Sequence, residues 1–361
     1  MRRTLGPLKA FALCALLPAG AAAQDAVTLY GVVDVGVALE RATDTPRTVS
    51  LASGTQSGSR WGLRAQHALG SGVRANLQLE GGFVAGTGRA AQGGRAFGRA
   101  AWMGLSAPAG EFRLGRQASP ASGALSAFDP FQASYLMAGA QTALLSYATH
   151  RLDNALVLST PASATWQASV GYSHAARDDG AQAGARVWSA ALTATAGAWA
   201  AALTGERATW QTGTANELAM RAAGDAASPS AVTLATRWTG KTATITAAAA
   251  WLRHGALVPE APSPGQYAQF PGSTVLGLML GADMALGPGR IMTSWQASLP
   301  RGTGSLARRD ATHRQHVVSA GYAYPLSART GVYGVVSHAR GSWWDAGWHA
   351  TQAAIGWRHR F

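Results

Sequence analysis

Three charged residues stand at matched distances from short turns in this chain. Arg60 lies ten residues before Gly70, Glu80 eight after Gly72, and Arg99 nine before Pro108. An acid between two guanidinium groups performs no bond-making chemistry. It holds the two cations apart and oriented, and the surplus positive charge attracts anions. Other spacings carry less. His313 and His316 have an H-x-x-H spacing, but they sit at a loop-to-strand junction where solvated histidines are far commoner than metal ligands. Asp178-Asp179-Gly180 reads as a polar loop tip, and Gly86-x-Gly88 precedes no helix that could receive a nucleotide. Nine histidines leave a surface hydrolase formally open, yet no sequence by itself brings a Ser-His-Asp set together. The expectation is a chain that is no enzyme and has no cofactor and no metal.

The elements that must position these charges are β-strands. In Val27 to Glu40, Val27, Leu29, Gly31, Val33, Val35, Val37 and Leu39 share one face, and Tyr30, Asp34 and Glu40 the other. Trp61, Leu63, Ala65, His67 and Leu69 alternate with Arg60, Gly62, Arg64 and Gln66; Val73, Ala75, Leu77 and Leu79 alternate with Arg74, Asn76, Gln78 and Glu80. Apolar-out, polar-in alternation is what a water-filled barrel in lipid requires. Further runs near 97–106, 111–117, 152–160, 164–175, 185–196, 198–210, 231–239, 242–254, 273–286, 289–299, 314–326, 329–340 and 348–361 bring the expected total to 16 strands. At roughly 3.3 Å per residue and about 45° tilt, Arg60, Glu80 and Arg99 stand on the order of 20 Å above the rim formed by the short turns.

The connections alternate in length. Short ones contain Ser71-Gly72, Pro108-Ala109-Gly110, Pro161, Gly197, Gly240-Lys241, Gly287-Pro288-Gly289 and 325–328; long ones cover 41–57, 85–96, 118–151, 176–184, 211–229, 255–272, 300–313 and 341–347. Short periplasmic turns and long outer loops are the asymmetry of outer-membrane barrels. The stretch 118–151 lacks strand alternation and is expected to fold into the lumen as the third outer loop, narrowing the channel through Phe128, Phe131, Tyr135 and its backbone.

Composition agrees. Hydrophobic residues make up 47% and charged residues 13%, and after residue 23 no run is apolar for long enough to read as a transmembrane helix. The formal net charge is +13, almost all from arginine scattered through the alternating segments, so nucleic acid is not an expected partner. Residues 1–23 read as a signal peptide: Arg2, Arg3 and Lys9 precede the apolar Ala10 to Leu17, and Ala21-Ala22-Ala23 fits a cleavage site. Cys14, the one cysteine, lies in that segment, and the barrel is assigned to 24–361.

Val27 to Asp34, Ser57-Gly-Ser-Arg-Trp-Gly62, Leu77 to Glu80, Phe97-Gly-Arg99, Leu114 to Gln117, Phe128-Asp-Pro130, Arg151 to Asn154 and Phe361 together resemble a Gram-negative general porin of the proteobacterial type. The resemblance implies a 16-stranded barrel, a homotrimer in the cell outer membrane in contact with lipid and lipopolysaccharide, and a third loop forming a constriction for passive diffusion of small hydrophilic solutes. The relatives' Pro-Glu-Phe-Gly-Gly loop motif is missing, and Asp129 is the only acid between Gln117 and Arg151. Arg60, Glu80, Arg99, Arg116 and Asp129 are therefore the expected constriction residues. Arg64, Arg74 and Arg113 read as ordinary lumen charges. With few acids against this arginine face, the expected preference is for anions. The alternatives are a barrel hydrolase and a non-conducting adhesin barrel.

Overall fold

The computed structural model describes residues 26–43, 45–140, 151–163, 165–174, 185–210, 218, 221, 228–255, 269–301, 305–306, 309–310, 313–343 and 345–361. The expected signal peptide and the tip at Asp178 to Gly180 lie outside them.

Sixteen antiparallel strands close into one barrel, all-β as expected. They are β1 (Ala26–Ala42), β2 in two segments (Thr45–Ser53 and Arg60–Gly70), β3 (Val73–Gly82), β4 (Ala100–Ala107), β5 (Gly110–Ala118), β6 (Arg151–Ser159), β7 (Trp166–Ser173), β8 (Ala185–Ala196), β9 (Trp199–Trp210), β10 (Ser230–Thr239), β11 (Ala243–Gly255), β12 (Gln269–Leu286), β13 (Gly289–Arg301), β14 (Gln315–Pro325), β15 (Thr330–Ser342) and β16 (Asp345–Arg360). Closure falls to β1, whose Val32 to Ala42 pair with Arg360 to Ala350 of β16. Phe361 extends that seam through two backbone bonds of 3.1 Å with Gly31. A Cβ on Gly31 would overlap the Phe361 ring, so the glycine makes room for the terminal aromatic.

Alternation decides what faces lipid. Val27 and Leu29 are 69% and 65% exposed and Ile355 is 69%, while Val32, Ala38 and Ala354 on the other face are buried. Trp166, Trp199, Trp357 and Phe361 stand exposed at the short-turn rim, and Trp188 and Trp251 near the other end. These are the two aromatic belts of a membrane barrel.

Three expectations need correction. The connections 41–57 and 341–347 are not long loops. The strands run on through them: Ala42 pairs with Thr45 and Ser342 with Asp345, Val49 and Leu51 continue the outward apolar face, and the Ser342 hydroxyl accepts from the Asp345 amide at 3.1 Å. What lies inside the first of them is a break, 54–59, that splits β2. Gly54 at φ 76° starts it, and a Cβ there would lie 2.7 Å from the Gly58 Cα. The strand expected from 97 begins at Ala100, after a bend at Gly98 and Arg99.

Between β5 and β6 the described part of the third loop, 119–140, runs inside the barrel. It forms α1 (Pro120–Leu125) and two 3-10 turns, Ser126–Phe128 and Leu136–Ala138. Ser119 caps α1 by accepting from the Ser122 amide at 3.2 Å. Helix α1 packs on β7, β8 and β9, and the two turns on β10, β11, β14 and β15. The loop therefore lines the wall from β7 round to β16 and reaches β1 and β2 at Ala38, Ala52 and Thr55, leaving the β3–β5 side facing the lumen.

Candidate functional site

Arg60, Glu80 and Arg99 meet on the open side of the wall. Arg99 Nε donates to Glu80 Oε1 at 2.6 Å, and Arg60 Nε lies 3.6 Å from Glu80 Oε2. The Tyr30 hydroxyl donates to the same Oε2 at 2.8 Å and receives a bond from Gln78 Nε2 at 2.7 Å. Arg60 also donates to Ser57 Oγ (3.0 Å) and to the Gly58 carbonyl (2.8 Å), so the break in β2 fixes its guanidinium. By strand parity Arg99 would share the lipid face of Met103, but the bend before Ala100 turns it inward onto Glu80. One carboxylate thus serves two guanidinium groups, and the trio keeps one surplus positive charge.

Arg116 is not part of this group. It stands opposite Ala101 in the ladder, on the face of the exposed Met103 and Leu114. Its NH1 donates to Asp153 at 2.6 Å and its Nε to the Gly98 carbonyl at 2.7 Å. Arg95 donates to both oxygens of the same aspartate at 2.8 Å. A bulge between Gly115 and Gln117, with Asn154 at φ 50°, sets this geometry. Arg116 pins the preceding outer loop to the wall instead of charging the passage.

Asp129 is also corrected. Its Oδ1 accepts from the Phe131 amide at 2.9 Å, and its Oδ2 from the Ala133 and Ala140 amides at 2.7 Å. The side chain is buried and organises the loop backbone, so its charge is spent inside the loop. Burial raises its carboxyl to about 6, against the three amides, which pull it down. Nor do the loop's aromatic rings face the passage. Phe131 packs edge-on to Tyr135 at 5.5 Å, Tyr135 to Tyr333 at 5.5 Å, and Phe131 is fully buried. The loop residues that line the cavity are mostly small or polar, among them Ser126, Ala127, Gln132 and Ser134.

The loop is tied at many points. The Tyr135 amide donates to the Thr55 carbonyl at 2.6 Å, the Met137 amide to Gln352 at 2.9 Å, and Gln296 to the Ala138 carbonyl at 2.8 Å. Buried Asp34 accepts from Tyr333 (2.6 Å) and from the Ser57 amide (2.7 Å), joining the β2 break to the wall behind the loop.

Three arginines that alternation did not single out complete the site. Arg151, Arg237 and Arg290 join Arg60 and Arg99 around a cavity of ≈ 1230 Å³. Arg237 donates to the Ala127 carbonyl at 2.8 Å and lies 5.4 Å from the centre of the Phe128 ring; Arg290 pairs with Asp283 at 2.7 Å. The strand of Arg237 is rich in Ala and Thr, and Arg151 and Arg290 stand at strand starts, so the sequence signal for all three is inward parity alone. Arg113 lies over Trp102 and Arg64 over Tyr30, both along the inner wall. Among the described residues no group of acids, histidines and cysteines could hold a metal. His316 stacks on Trp295, and His338, His349 and His359 each meet a threonine, not a serine and an acid.

A family model described as Gram-negative porin matches residues 10–342. The chain is 31% identical over 394 residues to an outer membrane porin protein of Bordetella pertussis, covering 100% of both chains. Its fold is similar to that of an anion-selective porin from Comamonas acidovorans, with TM-score 0.72, 22% identity, and 94% of this chain and 100% of that one covered. It is also similar to the trimer form of OmpT from Vibrio cholerae, with TM-score 0.63, 15% identity, and 93% and 99% covered.

Proposed function

The chain belongs to the Gram-negative porin family, and from that premise we propose that its channel prefers anions and that Arg60 and Arg99, oriented by Glu80, set the preference. The channel lies in the outer membrane and passes small hydrophilic solutes through its water-filled lumen. Conduction is passive: charge along the passage changes the local concentration and barrier of each ion. The observation that carries the reading is the imbalance of charge at the loop. Five arginines line that cavity against three acids, of which Asp129 is consumed by amides, Asp283 is paired with Arg290 and Glu40 accepts from Gln352. The anion-selective porin of similar fold supports the same direction.

As part of this proposal the channel assembles as a homotrimer, with lipid on the remaining apolar wall and lipopolysaccharide at the outer rim. The trimer form of the OmpT fold supports it. Residues 1–23 act as the export signal, removed on the way to the membrane.

The test is the zero-current potential of the purified protein in a planar bilayer across a KCl gradient. A potential of the sign set by chloride is expected, and clear potassium preference refutes the reading. Hydrolysis without conductance would favour a barrel enzyme, and neither would favour an adhesin.

A further inference from the structure

Beneath the inner loop, at the short-turn rim, lies a second basic cavity of ≈ 360 Å³. Arg290, Arg329, Arg358 and Arg360 line it, with Tyr324 beside them and Gln56 and Gln132 as its roof. Both glutamines belong to segments that shape the passage above, the β2 break and the inner loop.

The arginines are arranged by register. Arg60 is the ladder partner of Val32, Val32 is the partner of Arg360, and the Arg360 amide donates to the Arg329 carbonyl at 2.8 Å. One row of the sheet therefore runs from the arginine at the loop to two arginines at the rim. With strands about 4.8 Å apart and tilted by about 45°, three steps along it descend on the order of 10 Å. Arg358 lies one row further along, opposite Asp34. Trp357 is 55% exposed to lipid, so Arg358 and Arg360 alternate to the inside.

The cavity is short of negative charge. Asp283 neutralises Arg290, and Asp34 is closed off by Tyr333 and the Ser57 amide. Among the described residues Arg329, Arg358 and Arg360 have no ion pair. Three guanidinium groups gathered in one small cavity repel one another unless an anion joins them, and their planar forks match the oxygens of phosphate and carboxylate.

We propose that this cavity is a binding site for a compact multivalent oxyanion at the periplasmic mouth, the lower end of an arginine row that begins at Arg60. A solute that has passed the loop is received there before release, which favours multivalent oxyanions over chloride or acetate. The proposal deepens the anion-preferring reading and rests on it for the solute's route, while the site itself is tested separately.

The experiment records chloride current through single channels in a bilayer at low salt, with pyrophosphate added to one side and then to the other. The half-blocking concentration should be about tenfold lower from one side, the change expected of one or two charge-assisted hydrogen bonds. In Arg358→Gln/Arg360→Gln the difference between sides should fall to within about twofold, whereas acetate should show no difference in either protein. Because the last strand closes the barrel, Arg329→Gln, in a turn, is the second variant and should reduce the difference in the same direction. Equal block from both sides, or a difference that survives both variants, overturns the proposal. Arg60→Ala should move the zero-current potential in KCl and leave the difference between sides in place. Failure of the general anion reading would appear in that potential, not in the sided block.

Discussion

Replacing Glu80 by glutamine removes one negative charge from between Arg60 and Arg99 with almost no change in shape. With the amide oxygen turned to Arg99 Nε, the amide nitrogen takes the place of Oε2, where the Tyr30 hydroxyl can accept instead of donate, so the barrel should assemble normally. The effect is electrostatic. A unit charge about 6 Å from the ion path, at an effective dielectric constant of about 50 for a wall group beside water, contributes about 1 kcal/mol. A Debye length of about 10 Å in 0.1 M salt reduces this to about 0.5 kcal/mol. That raises the local anion concentration about twofold and lowers the cation concentration as much, so the chloride-to-potassium permeability ratio should rise about fivefold. The assay is the zero-current potential of Glu80→Gln beside wild type, repeated at 1 M salt, where the difference should shrink. An unchanged or smaller ratio at low salt would show that the trio does not face the ion path.

Arg60→Ala and Arg99→Ala should each lower the chloride-to-potassium ratio by a few fold, by the same arithmetic with the sign reversed, while the barrel still assembles and conducts. Unchanged reversal potentials in both would remove these residues from the constriction. Asp129→Ala leaves three loop amides unpaired at about 1–3 kcal/mol each, and should give noisier single-channel current and a lower unfolding temperature; quiet channels of wild-type stability would contradict the loop-organising role. Arg116→Ala should leave ion selectivity unchanged but expose the outer loop containing Arg95 to limited proteolysis, losing about 1–3 kcal/mol of local stability because Arg95 still holds Asp153. A selectivity shift in Arg116→Ala would return it to the passage.

Most of the wall was legible from period-two alternation. The run expected at 185–196 coincides with β8 and that at 289–299 lies within β13, because each lipid-facing position must be apolar and each lumen-facing one can be polar. The inner loop was legible only as a gap in that pattern. Its chemistry was not, since an aspartate before proline and phenylalanine reads equally as a pore charge or as a turn acceptor. Only the fold shows the Ala133 and Ala140 amides converging on Asp129. Arg237 lies in a strand of Ala and Thr that offers little contrast between faces, and Arg290 lies directly after a short turn, where one inward charge reads as an ordinary rim residue.

Where alternation gave the wrong partner or an ambiguous one, the strand itself is interrupted. Arg60 follows the inward break at 54–59, Arg99 the bend at Gly98, and Arg116 sits in the bulge between Gly115 and Gln117. The bend re-aims Arg99 toward Glu80 and the bulge re-aims Arg116 toward Asp153, while the break at 54–59 supplies the Ser57 and Gly58 acceptors that hold Arg60, which alternation already turns inward. A regular barrel would hold Arg99 against lipid, where an arginine at the midplane costs about 2–4 kcal/mol, and would leave Glu80 with one cation instead of two. The breaks are therefore what concentrates positive charge on the wall facing the loop. They also tie that wall to the loop, because Thr55 in the first break accepts from the Tyr135 amide. On the proposed role of Arg60, selectivity and the loop's anchorage share this short segment, and a change in 54–59 should alter both together.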